Sequence, residues 1–217
     1  MRLQDRDKIH EQYQSVVIGV SAGGMEALSD LLPPLPVEFS WPIIIVQHLH
    51  PTQGDYLAEL LCRRCAVKAK EADEKEKIQP GWIYLAPPNY HLLIERDQTF
   101  SLSVDEKVNF ARPSIDVLFE SAVDAYGSGL IGIILTGANH DGAYGLHLIK
   151  QCGGLTIVQD PAHAAHPVMP RSALDMTKVD HVLPIPGITR LLIELETATR
   201  YGNRAGVKTT LLEKTIL

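Results

Sequence analysis

A serine, a histidine and an aspartate each follow an apolar run of this chain, and they are the residue types that acyl transfer uses as nucleophile, base and orienting acid. Ser21 lies in Gly19-Val20-Ser21-Ala22-Gly23-Gly24, directly after Val16-Val17-Ile18. Gln47-His48 closes a second run, and Thr136-Gly137-Ala138-Asn139-His140-Asp141-Gly142 follows a third. A serine hydroxyl needs a neighbouring base and a tight turn that exposes its oxygen; Gly19, Gly23 and Gly24 permit such a turn. A helix starting just after Ser21 would turn free N–H groups and its positive end toward a developing oxyanion. In a triad, Asp141 would accept the Nδ1–H of His48 and fix its tautomer.

The same residues admit other chemistry. Glycine-rich strand-to-helix turns also cradle phosphates. His48 with His50, His140 and His163 offers a set of metal ligands, without the HExxH or HxxEH spacing of known sites. Asp141 is also placed to cap the helix it opens. Gly19-Val20-Ser21-Ala22-Gly23 satisfies the G-x-S-x-G elbow, but α/β-hydrolases order the triad serine, acid, histidine and place several strands before the serine.

The elements that must position these residues alternate along the chain. Buried strands are expected at Val16–Val20, Pro42–Gln47, Leu130–Leu135 and Leu155–Gln159, with a short one at His181–Leu183. Helices are expected at Gly24–Leu32, Asp55–Arg64, Ile115–Ala125 with Ser114 as cap, from 141 or 142 to Gln151, at Pro170–Met176 and at Ile188–Thr199. Strand runs without polar alternation suit a parallel sheet covered on both faces. The expected fold is therefore α/β: a doubly wound, mostly parallel sheet in a three-layer α/β/α arrangement. The charged stretch from Lys68 to Lys77 reads as a solvated surface segment. Trp82–Leu85, His91–Ile94 and Thr99–Val104 read as an antiparallel hairpin insertion, which makes the sheet mixed. The expected organisation is an N-terminal extension over 1–14, a catalytic domain over 15–200 and a polar tail over 201–217.

With 217 residues, 45% of them apolar, the chain can bury a sizeable core, and its formal charge of −6 argues against a binder that tracks nucleic-acid phosphates. No apolar stretch approaches the ~20 residues of a membrane span, and Met1–Arg6 lacks the apolar core of a signal peptide, so a cytoplasmic location is expected. Cys62, Cys65 and Cys152 are too few for a disulfide framework. Cys62-Arg63-Arg64-Cys65 has redox spacing but falls late in a helix, which favours reduced thiols.

Six collinear motifs carry a family resemblance over about residues 15–186: Ile18-Gly19-Val20-Ser21-Ala22-Gly23-Gly24, Val46-Gln47-His48, Tyr84-Leu85-Ala86-Pro87, Arg112-Pro113-Ser114-Ile115-Asp116-Val117-Leu118-Phe119, Ile134-Leu135-Thr136-Gly137 and Asp141-Gly142-Ala143. The set resembles the catalytic domain of the chemotaxis receptor protein-glutamate methylesterases. The resemblance implies a cofactor-free serine hydrolase of γ-glutamyl methyl esters on the cytoplasmic helices of chemoreceptors, with glutamine deamidation in many members. It places the triad on Ser21, His48 and Asp141, and the oxyanion donors on the backbone N–H groups of Ala22 and Ala138. The implied partner is a methylated chemoreceptor or similar helical signalling protein, with no nucleic acid and no direct membrane insertion.

The chain departs from the family pattern at Ala22, at Ala138-Asn139-His140 and at Val168-Met169-Pro170. The first two support an alternative, a non-catalytic anion-binding or scaffold domain that retains the fold. About 15 residues precede the first strand, too few for the phospho-receiver domain of typical members, so a site open without phosphorylation is expected.

Overall fold

The computed structural model describes the backbone of residues 13–48 and 56–213, and the side chains of 13–48 and 57–201. In chain order its elements are β1 Ser15–Val20, α1 Gly24–Leu31, β2 Ile43–Gln47, α2 Tyr56–Arg64, β3 Lys68–Glu71, β4 Trp82–Leu85, β5 His91–Ile94, β6 Phe100–Ser103, α3 Ile115–Tyr126, β7 Leu130–Ile134, α4 Ala143–Gln151, β8 Leu155–Gln159, α5 Val168–Met176, β9 His181–Leu183 and α6 Ile185–Glu213.

Seven strands form one sheet in the order β3-β4-β2-β1-β7-β8-β9. Every pairing in it is parallel. Side-chain alternation divides the strand residues between two cores. Val16, Ile18, Val20, Ile43 and Ile45 pack with Leu28 and Leu31 of α1 and with Ile188 and Leu192 of α6. Val17, Ile44 and Val46 face the other way, onto Leu118 and Phe119 of α3 and Leu146 and Ile149 of α4. Burial on both faces explains why β1, β2 and β7 read as unbroken apolar runs. The chain winds outward from β1 through β2, then crosses back to β7 on the other side of β1. That reversal opens a crevice at the carboxyl ends of β1, β2 and β7, where doubly wound sheets bind ligands.

The main sheet is parallel throughout, not mixed. Trp82–Leu85 does not belong to an antiparallel insertion: it is β4, inserted between β2 and β3 with Ile83 opposite Ile43. Within the charged stretch, Lys68–Glu71 forms the edge strand β3. Its lysines and glutamate are of the kind that protects a sheet edge from further pairing. Lys70 bonds the carboxylates of Asp73 and Glu76 at 2.7 and 2.9 Å, which turns the chain after the strand. β5 and β6 pair antiparallel, as a separate two-stranded sheet with His91 opposite Ser103. The last helix extends beyond the expected Ile188–Thr199, through part of the stretch expected as a tail. Among the described residues no helix is long and apolar enough to cross a membrane.

Candidate active site

Ser21 follows β1 at the reversal point and is held by its backbone. Its N–H donates to the carbonyl of Thr136 beyond β7 at 2.9 Å, and its own carbonyl accepts from Gly24 N at 2.9 Å and from Gln47 Nε2 at 2.8 Å. The Gln47 amide also donates to the His48 carbonyl at 3.1 Å, so one side chain clamps the serine and histidine turns together. Gly23 has φ +77, the left-handed region that favours glycine. Gly24 is required for space: a Cβ there would lie 2.0 Å from Gln47 Oε1. Thr136 adds a second brace, its hydroxyl donating to the Ala22 carbonyl at 2.9 Å and accepting from His166 N at 2.8 Å. Met169 N in turn donates to the Gly137 carbonyl at 3.0 Å, so the divergent segment at the start of α5 packs directly on this turn.

His48, its side chain 13% exposed, places Nε2 2.9 Å from Asp141 Oδ2. Its Nδ1 faces Asn139 Nδ2 at 3.3 Å. Asn139 Oδ1 accepts the Asp141 N–H at 3.2 Å, which fixes the amide so that its N–H donates to His48 Nδ1. Nδ1 is therefore the acceptor nitrogen and Nε2 carries the proton that Asp141 receives. This reverses the expected orientation, in which Nδ1–H would meet the acid. It also leaves Nδ1 as the basic nitrogen of the pair. Ser21 and His48 line one cavity with Asn139 and His140. Among the described residues no hydrogen bond joins Ser21 Oγ to His48.

Asp141 is 1% exposed and accepts five hydrogen bonds. Besides His48, Oδ2 takes Ile115 N at 2.7 Å, and Oδ1 takes Asn109 Nδ2 at 2.8 Å, Ser114 Oγ at 2.9 Å and Asp116 N at 3.2 Å. Asp141 thus sits across the first turn of α3, not as the cap of α4, whose N-cap is Gly142. Ser114 is the N-cap residue of α3 as expected, but its hydroxyl serves Asp141 instead of its own helix. Burial pushes the Asp141 pKa up; the bonds from His48, Asn109 and Ile115 N–H outweigh it and hold the carboxyl below its ordinary value. Beside it, Asp116 accepts Gly145 N and Asn109 Nδ2, both at 2.7 Å. Burial first, and then the charge of Asp141, push Asp116 up to about 6. Asn109 uses both amide hydrogens to bridge these two carboxylates.

Ala22 and Ala138 flank the cavity in sequence but are not part of its lining. Among the described residues neither of their N–H groups donates to a backbone carbonyl, unlike those of Ser21 and Gly137. The Asn139 amide is directed to His48 and not into the space beside Ser21's turn as an oxyanion donor would be. Cations stand at the cavity in Lys107 and Arg112, and among the described residues no carboxylate lines it, despite the negative charge of the whole chain.

Of the histidines considered as metal ligands, His163 bonds Asp160 at 2.9 Å and His50 lies outside the described residues. Among the described residues no three His, Cys, Asp or Glu side chains gather as a metal site. Burial pushes the Cys65 thiol up to about 11, outweighing Arg64, which disfavours thiolate chemistry there.

Three residues important to this geometry carried little signal. Gln47 and Thr136 are polar residues at the ends of apolar runs, a position that could have marked them. Asn109 lies 32 positions from Asp141, and nothing local marks it.

A reversal-point crevice in a doubly wound sheet, holding a serine turn beside a histidine that an aspartate orients, is the architecture of an α/β hydrolytic protein. The family model described as CheB methylesterase matches residues 16–192, and the chain belongs to that family. A relative from Leptospira interrogans, provisionally named protein-glutamate methylesterase/protein-glutamine glutaminase, is 55% identical over 85% of this chain and 95% of its own length. The protein-glutamate methylesterase/protein-glutamine glutaminase of Bordetella parapertussis is 39% identical over 87% of this chain and 53% of its own. The crystal structure of the Thermotoga maritima CheB methylesterase catalytic domain superposes with a TM-score of 0.81 at 36% identity, covering 84% of this chain and 98% of that one. The chain therefore spans nearly all of one relative and about half of another.

Proposed function

We propose that this chain hydrolyses γ-glutamyl methyl esters on the cytoplasmic helices of a chemoreceptor-type protein, releasing methanol, and that it deamidates glutamine at the same site, releasing ammonia. The observation that carries this reading is the His48–Asp141 pair facing the cavity that Ser21 lines. Ser21 Oγ attacks the side-chain carbonyl while His48 Nδ1, once the Asn139 amide releases it, takes the serine proton, and Asp141 stabilises the imidazolium through Nε2–H. His48 returns the proton to the departing methanol or ammonia. Water, activated by the same nitrogen, then clears the acyl-enzyme. The oxyanion is assigned to the backbone N–H groups of Ala22 and Ala138, which among the described residues donate to no backbone carbonyl. The cationic lining suits an ester borne among acidic residues and the carboxylate that hydrolysis leaves behind.

The test is methanol release from methylated receptor membranes, with Ser21→Ala as control and labelling of Ser21 by a serine-directed phosphonate. Release that vanishes in the variant, together with labelling of the wild-type chain, is expected. No labelling and no methanol from the wild-type chain would favour a binding domain that keeps the fold.

A further inference from the structure

At the lip of the cavity the chain makes a tight turn whose geometry and residue type disagree. Val108 and Ala111 exchange backbone hydrogen bonds, Val108 N to Ala111 O at 3.2 Å and Ala111 N to Val108 O at 2.9 Å. The two residues between them, Asn109 and Phe110, have φ of +52 and +63. Left-handed backbone at both central positions is the pattern of a type I′ turn, which favours Asn followed by Gly. Asn109 suits its place. Phe110 does not, because its Cβ crowds the backbone in this region and a bulky side chain there is an outlier. Burial does not compensate, since Phe110 is 93% exposed. The turn is nevertheless held firmly. Asn109 anchors one side to Asp116 and Asp141, and Arg112 Nη1 anchors the other to the carbonyls of Val104 and Asp105 at 2.6 and 2.9 Å. A strained residue that buries nothing, on a rigid mount beside a reacting centre, points to a role in function.

We infer that Phe110 is a specificity-determining contact for the protein substrate, its ring packing on an apolar side chain of the substrate helix about one turn from the reacting glutamyl group. The assignment rests on the hydrolase reading above. Phe110 lines the same cavity as Ser21 and His48, so a glutamyl side chain that enters the cavity brings its own helix against the lip. Residues three or four apart share a helix face, so the neighbour that meets the ring is at that spacing from the modified residue. An aromatic side chain turns about only two bonds, so on an anchored turn it loses little freedom on binding.

The experiment compares Phe110→Ala, Phe110→Gly and Phe110→Trp with the wild-type chain on two substrates: methylated receptor membranes, read by methanol release, and p-nitrophenyl acetate, which has no helix to contact. Phe110→Gly suits the left-handed turn and keeps the test independent of folding. Both truncations should lower kcat/KM on the membranes at least about tenfold further than on the small ester, mainly through KM, and Phe110→Trp should restore most of it. A ratio between the two substrates that stays within about threefold of wild type in both truncations overturns the assignment. A wild-type chain inactive on both substrates would sink the hydrolase reading itself, and this assignment with it.

Discussion

Asp141 is the residue on which packing and chemistry coincide. Its carboxylate satisfies the first turn of α3, the Ser114 hydroxyl, the Asn109 amide and the His48 ring at once. An asparagine has one acceptor oxygen and a donating amino group, so Asp141→Asn must leave some of these buried donors unmatched in either orientation. Each orphaned donor costs about 1–3 kcal/mol. A loss near 2 kcal/mol lowers Tm by roughly 4–8 °C in a chain of this size. Asp141→Asn should therefore lose stability as well as turnover, whereas Ser21→Ala, with its hydroxyl outside every brace described, should keep the wild-type Tm. The pH dependence has a definite sign. A carboxyl held below its ordinary value in the folded state adds stability that is fully present above the unfolded pKa, near 4, and is lost as pH falls through the lower folded value. The Tm gap between wild type and Asp141→Asn should be widest at neutral pH and narrow below about pH 4. Thermal unfolding from pH 3 to 7 checks it; a gap that stays constant would show that the ionised form adds nothing.

The elements place these residues by contacts between loops more than by any motif. β1, β2 and β7 deliver Ser21, His48 and Asp141 to one edge, but the Gln47 amide sets the distance between the first two turns. Gly24→Ala tests this, since its Cβ would meet Gln47 Oε1 at 2.0 Å and Val20 Cγ2 at 2.7 Å. The amide must then leave one of the two carbonyls it holds. A displacement of about 1 Å at a reacting centre can cost on the order of 100-fold. Gly24→Ala should lower kcat about 10- to 100-fold with Asp141 untouched, and Gln47→Ala in the same background should add little because both act through one clamp. Additive losses in the double variant would separate them. The same distinction explains what was legible in the sequence. Buried strands with unbroken apolar runs announce themselves, and three of them end in the reactive residue types. The direction of Trp82–Leu85 does not, because four apolar residues carry no record of which neighbour they pair with. Lys68–Glu71 reads as surface because an edge strand and an exposed loop select the same charges. The His48 orientation is set by Asn139 and Asn109, the second reaching Asp141 from a turn that sequence spacing does not connect to it.

On the scale of the whole molecule, a chain of net charge −6 carries a cavity lined by Lys107 and Arg112, with no carboxylate lining it among the described residues. The two fields oppose each other for an acidic substrate helix: the net charge repels it at a distance, and the local cations attract it once it is close. Screening separates them, because charges further apart than the Debye length, about 10 Å at 0.1 M salt, scarcely interact. At moderate salt the distant repulsion has faded while a cation within a few ångströms of its partner still acts. Lys107 is exposed at the lip, so Lys107→Glu reverses a charge without touching the braces around Asp141. It should lower kcat/KM on methylated receptor membranes several-fold at about 0.1 M salt, as charge reversals at a cleft mouth slow association, and scarcely alter hydrolysis of a neutral small ester. The loss should shrink steadily as salt rises to about 0.5 M, where screening reaches into the cleft as well. A loss of equal size at every ionic strength would mean that Lys107 acts through structure, and that the cationic lining has no part in drawing in the substrate.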